Sequence, residues 1–204
     1  MTEIRVQNLC KTYGDHVVLH NLSFTAGVGV TRILGRSGAG KTTLLRILLG
    51  LDQPDSGSLF GTNCRWAAVF QEDRLLGHLD AEDNLRFALG SAYNAAAAKT
   101  LLGELGLADV GSKPICEYSG GMKRRLSLLR ALLVPFDLLI LDEPFNGLDS
   151  ENRKKAAALV RNRAQDKILL FAAHTKEDAA LLGAEILCPF DSYCSVQISR
   201  SKGN

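Results

Sequence analysis

The sequence predicts an α/β fold, with a mostly parallel sheet at its core, an antiparallel β subdomain at the N-terminus and an α-helical subdomain inserted in the middle. Three observations predict it. Leu138 to Leu141 and Ile168 to Ala173 are continuous apolar runs with the character of strands buried on both faces, Val30 to Leu34 reads as a further buried strand, and helical patterns alternate with them. Two early segments, Ile4 to Leu9 and Val17 to Phe24, flank the turn residues Tyr13-Gly14-Asp15 and read as an edge hairpin. From Ala81 to about Leu133 leucine and alanine dominate and strand formers thin out. The 204 residues fit one core-bearing domain, with 1–71 and 135–204 forming the core and 72–134 the helical insertion.

After the hairpin, the strand Val30 to Leu34 runs into a glycine-rich loop, and Lys41 to Leu49 has helical apolar spacing. Next, Gly57 to Phe70 reads as a short hairpin that turns at Gly61-Thr62-Asn63 and returns through Ala67-Ala68-Val69-Phe70. The alanine run Ala95 to Ala98 expresses helix propensity. Asn152 to Arg163 is a helix between the two later apolar strands. The tail from Glu185 to Ile198 offers one or two short strands, and Ser199 to Asn204 is expected to fray. No internal repeat is visible.

Composition excludes several classes. Twenty-four basic against 22 acidic residues leave a net charge of +2, too balanced for a nucleic-acid binder. The clusters Lys123-Arg124-Arg125 and Arg153-Lys154-Lys155 lie in helical sequence and read mainly as solvated faces. Five scattered cysteines without a C-x-x-C pair argue against a disulfide framework or a zinc site, and for reduced thiols. The first residues lack the apolar core of a signal peptide, and Leu126 to Leu141 is broken by Arg130, Pro135 and Asp137, so no membrane span is expected.

Chemistry concentrates in two places. Gly35-Arg36-Ser37-Gly38-Ala39-Gly40-Lys41-Thr42 matches G-x-x-x-x-G-K-[ST], preceded by a strand and followed by a helix, and marks a P-loop NTPase core. Glycines let successive N–H groups turn inward, and the helix N-terminus adds its positive end, which suits a triphosphate. Lys41 brings a cation to the β- and γ-phosphates, and the Thr42 hydroxyl is a hard oxygen ligand for Mg²⁺. The strand Leu138 to Leu141 ends in Asp142-Glu143, a placement that core packing alone does not call for. Asp142 can hold the metal through water, and Glu143, pointing elsewhere, can take a proton from the water that attacks the γ-phosphorus. Pro144 stops the strand.

With Tyr118-Ser119-Gly120-Gly121-Met122 between these two motifs, the chain resembles the ATP-binding cassette (ABC) family over almost its whole length. The resemblance implies ATP and Mg²⁺ and assigns further residues. Tyr13 falls where the family stacks an aromatic on adenine, and Thr43 follows the metal-binding threonine. Gln71 matches the glutamine that senses metal and attacking water, Ser119-Gly120-Gly121 the family signature, Gly147-Leu148-Asp149 its D-loop and His174 its switch histidine. Taken singly, Tyr13 is also a hairpin turn residue, Gln71 a common strand-end residue and His174 a structural histidine. Met122 stands where glutamine is most frequent and Tyr118 where leucine is usual; the intact Ser-Gly-Gly core implies retained activity.

The signature should lie far from Lys41 within one chain, and the family's solution is a head-to-tail dimer in which each Ser119 closes the other copy's site. Gln71 to Leu79 resembles the same stretch of importer ATPases of the nitrate, sulfonate and taurine type. There Leu75, Leu76 and Leu79 border a groove that receives a helix of a separate membrane permease; packing of the helical lobe explains the same leucines equally well. The resemblance thus implies a second subunit, permease subunits, an extracytoplasmic solute-binding protein acting indirectly, no nucleic acid, and a peripheral place on the cytoplasmic face of the membrane. Room for a C-terminal regulatory domain is not expected. Two alternatives stay open: a soluble ABC ATPase of the kind that serves iron–sulfur cluster assembly, and a GTPase, for which Thr175-Lys176-Glu177-Asp178 loosely matches a guanine-reading motif but equally starts a helix.

Overall fold

The structure, a computed structural model, describes residues 3–173, 175–184 and 186–189. In chain order its elements are β1 (Glu3–Tyr13), β2 (His16–Gly27), β3 (Gly29–Leu34), α1 (Lys41–Leu48), β4 (Ser56–Phe60), β5 (Trp66–Val69), α2 (Ala81–Leu89), α3 (Ala95–Glu104), α4 (Gly120–Leu133), β6 (Leu138–Asp142), α5 (Ser150–Arg163), β7 (Ile168–Ala172), α6 (Lys176–Leu182) and β8 (Ile186–Pro189). The sequence expectation for the tail beyond β8 lies outside the described residues.

Two sheets form. One is antiparallel, in the order β2-β1-β4, and the other has the order β5-β6-β7-β3-β8 with every pairing parallel. The expected N-terminal hairpin is present, but β1 sits in the middle of its sheet. The second expected hairpin is not. β4 pairs with β1 and β5 pairs with β6, so the chain between them crosses from one sheet to the other. The reason lies in the side chains. β4 reads Ser-Gly-Ser-Leu-Phe and is mostly exposed, which suits an antiparallel strand facing water, whereas Ala67 and Val69 of β5 are buried and need the apolar flank of β6. Arg65 fixes the crossing: its guanidinium makes a bidentate pair with Asp137 at 2.9 and 3.0 Å, setting the starts of β5 and β6 side by side.

Alternation along β6 and β7 divides the core into two halves. Leu139, Leu141, Leu169 and Phe171 face a cluster built with Leu85 of α2, Leu101 of α3, Leu126 and Leu129 of α4 and Val160 of α5. Leu138, Ile140, Ile168 and Leu170 face the other way, onto Leu44, Leu45 and Leu48 of α1 and Ile4, Val6 and Phe24 of the antiparallel sheet. Both strands are buried throughout, which explains why they read as continuous apolar runs.

Asn84 organises the segment that links β5 to α2. Only 3% exposed, it accepts from the Leu76 N–H at 2.7 Å and donates to the carbonyls of Leu76 and Asp80 at 3.0 and 2.8 Å. Removing the amide leaves buried backbone groups without partners, so Asn84→Ala should cost about 2 kcal/mol in urea unfolding. A loss below about 0.5 kcal/mol would show that the loop finds its own partners.

Candidate functional site

Five of the six described α-helices begin with a side-chain cap. Asp80, Asn94, Ser119, Asp149 and Thr175 each accept a hydrogen bond from the N–H three residues on. The exception is α1, which begins at Gly40 in a left-handed conformation with no side-chain cap. Its first N–H groups therefore face the loop without a covering carboxylate or hydroxyl, the arrangement that receives an anion.

The loop itself turns sharply. Gly38 and Gly40 have φ of +78° and +99°, and the Ala39 N–H closes a turn onto the Arg36 carbonyl at 3.2 Å. Lys41, 7% exposed, donates from Nζ to the carbonyls of Gly35 and Arg36 at 2.8 Å each, so its ammonium sits inside the loop's curve. A cavity of about 350 Å³ lies over these groups; Ser37, Gly38, Gly40, Lys41, Thr42 and Thr43 form its floor. Tyr13 and Gln71 close its sides, and Asp142 and Glu143 complete the wall from β6. His16 and Val18 also line it, and neither is singled out by the sequence motifs; the cross-strand pairing of His16 with Tyr13 is the signal that points to it.

Parallel pairing explains how β6 reaches this cavity. β6 and β3 both pair with β7, so their C-terminal ends emerge on one edge of the sheet. There Thr42 donates its hydroxyl to Asp142 Oδ2 at 2.6 Å. Burial pushes the Asp142 carboxyl above its ordinary pKa; the Thr42 bond pulls it back down, and the neighbouring Glu143 charge raises it further. A cation beside Asp142 offsets that penalty. No cluster of three or more His, Cys, Asp or Glu among the described residues could hold a metal alone. Mg²⁺ does not need one: it keeps several waters and takes phosphate oxygens, so one hydroxyl and one carboxylate are a matched set.

Glu143 is held in a left-handed conformation, φ +49°, which is costly for a residue with a side chain. Its N–H donates to the Ala172 carbonyl at 2.9 Å, and its carbonyl accepts from the Asn146 N–H at 3.3 Å. Its carboxylate Oε2 accepts from the Asn146 side-chain amide at 3.5 Å. On the far side, the Tyr13 hydroxyl donates to Asp52, which raises the phenol's pKa and lowers the carboxyl's. Lys11 Nζ lies 5.0 Å from the ring centroid. So anchored, the ring stays 46% exposed, a flat surface of the kind that stacks with a base.

The remaining predicted residues gather elsewhere. Ser119, Gly120, Gly121 and Asp149 are not among the residues that line this cavity. Ser119 caps α4 by accepting from Met122 N–H at 3.2 Å, and a hydroxyl used as acceptor keeps its proton available to a further partner. Asp149 caps α5, accepting from the Asn152 N–H at 2.9 Å and side-chain amide at 2.6 Å, bonds that hold its carboxyl below the usual range. A Cβ on Gly121 would stand 3.2 Å from the Gly147 carbonyl, so signature and D-loop touch through that glycine. A Cβ on Gly120 would meet nothing within 4 Å. His174 lies outside the described residues.

The basic clusters are solvated only in part: Lys154 and Lys155 are exposed, but the arginines are engaged. Arg124 is 4% exposed, and Arg125 binds the Leu105 carbonyl and Asn152 Oδ1 at 2.7 and 2.9 Å. Arg153 contacts Glu177 and Asp178 at 3.4 and 3.8 Å. These guanidiniums fix α4 and α5 to their neighbours. Thr175-Lys176-Glu177-Asp178 forms the first turn of α6, with Thr175 capping the Asp178 N–H at 3.1 Å, which gives this stretch a structural task.

Known proteins share both sequence and fold. A family model described as "ABC transporter" matches residues 19–146. The chain is 37% identical over 198 residues to the aliphatic sulfonates import ATP-binding protein of Frankia casuarinae, covering 96% of this chain and 65% of that protein. It is 35% identical over 188 residues to one of the corresponding proteins of Pseudomonas syringae pv. tomato, covering 91% and 80%. A bacterial Atm1-family ABC exporter solved with ATP bound superposes with a TM-score of 0.81 at 22% identity, over 93% of this chain and 37% of that one, which bears on the fold alone. With the family model spanning the loop and the acidic strand end alike, the chain belongs to the ABC transporter family.

Proposed function

We propose that the protein is the ATP-hydrolysing subunit of an importer of a small solute, driving a separate membrane permease from the cytoplasmic face of the membrane. One observation carries the chemistry: a single cavity gathers the glycine-rich loop, Lys41, the Thr42–Asp142 pair, Gln71 and Glu143. The names of the Frankia and Pseudomonas relatives support import, and an aliphatic sulfonate as the class of solute. Among the described residues no helix is long and apolar enough to cross a membrane, which fits a peripheral subunit that works through a permease and, beyond it, a solute-binding protein.

In this reading residues 1–71 and 135–204 form the nucleotide-binding core and 72–134 a helical subdomain. Tyr13 stacks on adenine. The backbone N–H groups of residues 35 to 43 and the Lys41 ammonium hold the phosphates. Mg²⁺, when bound between Thr42 and Asp142, supplies positive charge to the β- and γ-phosphate oxygens. Gln71 orients the attacking water, and His174 contacts the γ-phosphate. Glu143 takes the water's proton as its oxygen bonds to the γ-phosphorus; the bond to the β–γ bridging oxygen breaks, and ADP leaves with that electron pair.

Ser119-Gly120-Gly121, absent from this cavity, completes the site of a second copy, and Asp149 lies at that same contact. The open space over Gly120 supports close approach by another molecule, since nothing within the chain demands a glycine there. Mixed dimers test the arrangement. With Ser119→Ala on one copy and Lys41→Ala on the other, both defects fall in one composite site, so one nucleotide per dimer should remain trapped. With both substitutions on the same copy, neither site should trap nucleotide. The reverse pattern would mean that each signature serves its own chain.

A further inference from the structure

Arg124 is the most heavily engaged buried cation among the described residues, and none of the family motifs above gives it a task. It sits on α4, five residues after the capping Ser119, with its side chain 5% exposed. Its guanidinium reaches two chain segments at once. On one side it donates to the Phe70 carbonyl and to Asp73 Oδ1, 3.1 Å away, on either side of Gln71. On the other it donates to the Asp142 carbonyl at 2.6 Å, to the Glu143 carbonyl and to the Pro144 carbonyl at 3.1 Å. Nε, Nη1 and Nη2 thus all donate, to groups arranged around one plane, a geometry that only a guanidinium meets.

Both of these segments contain a non-glycine residue in the left-handed region, Arg74 and Glu143, each at φ +49°. Such residues persist where surrounding bonds over-determine them. Glu143 is held by Ala172 at its N–H and by Arg124 at its carbonyl. Arg74 is held by Arg130, two turns further along α4, which donates to its carbonyl at 2.7 Å and to that of Asp73 at 2.9 Å. Through these two arginines α4 is a splint across the glutamine-bearing segment and the acidic turn.

We infer that Arg124 is a positioning residue for hydrolysis: it locks the Gln71 segment and the Glu143 turn in register, and ties both to the helix that Ser119 begins. The inference rests on the roles given above to Gln71 and Glu143. Arg124 is not among the residues that line the cavity, so its loss should misplace the reacting groups without emptying the phosphate cradle. A misplacement of about 1 Å can cost roughly a hundredfold in rate.

Phosphate release and nucleotide affinity are measured on wild type, Arg124→Met, Arg124→Lys, Glu143→Gln and Asn84→Ala, each below its melting temperature. Arg124→Met should lose roughly a hundredfold in kcat with nucleotide Kd within about threefold of wild type. Arg124→Lys, which keeps the charge but not the fork, should fall between the two and serves if the methionine variant does not fold. Asn84→Ala, which removes bonds to Leu76 and Asp80 but none to Arg124 or its partners, should keep its kcat. If Arg124→Met and Arg124→Lys hydrolyse ATP at the wild-type rate while Glu143→Gln does not, the positioning role is overturned and the site stands. If Asn84→Ala loses kcat as Arg124→Met does, the effect is general loosening and the inference fails. A wild type without ATPase activity overturns the reading of the site, and this inference with it.

Discussion

Glu143→Gln should bind ATP as tightly as the wild type, hydrolyse it roughly a hundredfold to ten-thousandfold more slowly, and collect as a dimer when ATP is added. The substitution changes only the side-chain end. The left-handed turn depends on backbone bonds to Ala172, Asn146 and Arg124, all of which an amide leaves in place. What disappears is the base and its negative charge. That charge is one of the causes that lift the Asp142 pKa, so removing it moves Asp142 back toward its ordinary value and favours the ionised form that binds metal.

The sign of the stability effect follows. An acid whose folded pKa is raised contributes stability below its unfolded pKa and loses it as pH rises through the folded value, so wild-type Asp142 is a liability at neutral pH. Glu143→Gln should therefore melt above wild type at pH 7, with the gap closing as the pH falls through the carboxylate range. Phosphate release, light scattering with and without ATP, and a melting series against pH read the three effects. A variant that turns over ATP normally removes Glu143 from the chemistry; one that stays monomeric with ATP counts against the composite site.

The elements that position this site were legible in sequence because each is specified locally. The strand β3, the glycine loop and the amphipathic α1 announce themselves in order, and β6 reads as a buried strand because both its faces are buried. Thr175 and Asp178 are a helix start in sequence and in structure alike.

What sequence pattern missed was decided by partners distant along the chain. Two short strands six residues apart look like a hairpin, yet exposure of the Ser-Gly-Ser strand and burial of the Ala-Ala-Val strand send them to different sheets. Arg124 was obscured by its charged neighbours Lys123 and Arg125. Helical spacing does carry the signal, because Arg124 stands four and eight residues before the buried Leu128 and Leu132 and so falls on their face. A charge on that face has to find partners, and the carbonyls it finds are those of the glutamine and acidic segments. Two features of the Tyr13 wall, His16 and the Asp52 anchor, required the register of the N-terminal hairpin and the fold of the loop after α1.

Gly40→Ala should lower ATP affinity by more than roughly a hundredfold, the loss of about 2.8 kcal/mol or more of binding energy. A Cβ at this position would stand 2.6 Å from Val18 Cγ1, 2.9 Å from the Val18 carbonyl oxygen and 3.1 Å from Leu19 Cδ2. The side-chain contact can yield; the carbonyl belongs to Val18 of β2, whose neighbours Val17 and Leu19 both pair with β1, so it moves only at a cost to that pairing. The loop must shift instead, at φ +99° where a side chain is already strained, and Lys41 and the uncapped first turn of α1 shift with it. The fold should survive, because α1 is anchored by Leu44, Leu45, Ile47 and Leu48, and overpacking of this kind costs about 1–3 kcal/mol. Gly38→Ala provides the comparison. Gly38 also has a positive φ, +78°, but a Cβ there meets nothing within 4 Å, so it should melt closer to wild type than Gly40→Ala does. Calorimetric titration with Mg-ATP, paired with thermal melts of both variants, separates the two effects. ATP affinity within about threefold of wild type for folded Gly40→Ala would mean that the phosphates are not held by this loop, and the site would have to be sought elsewhere on the chain.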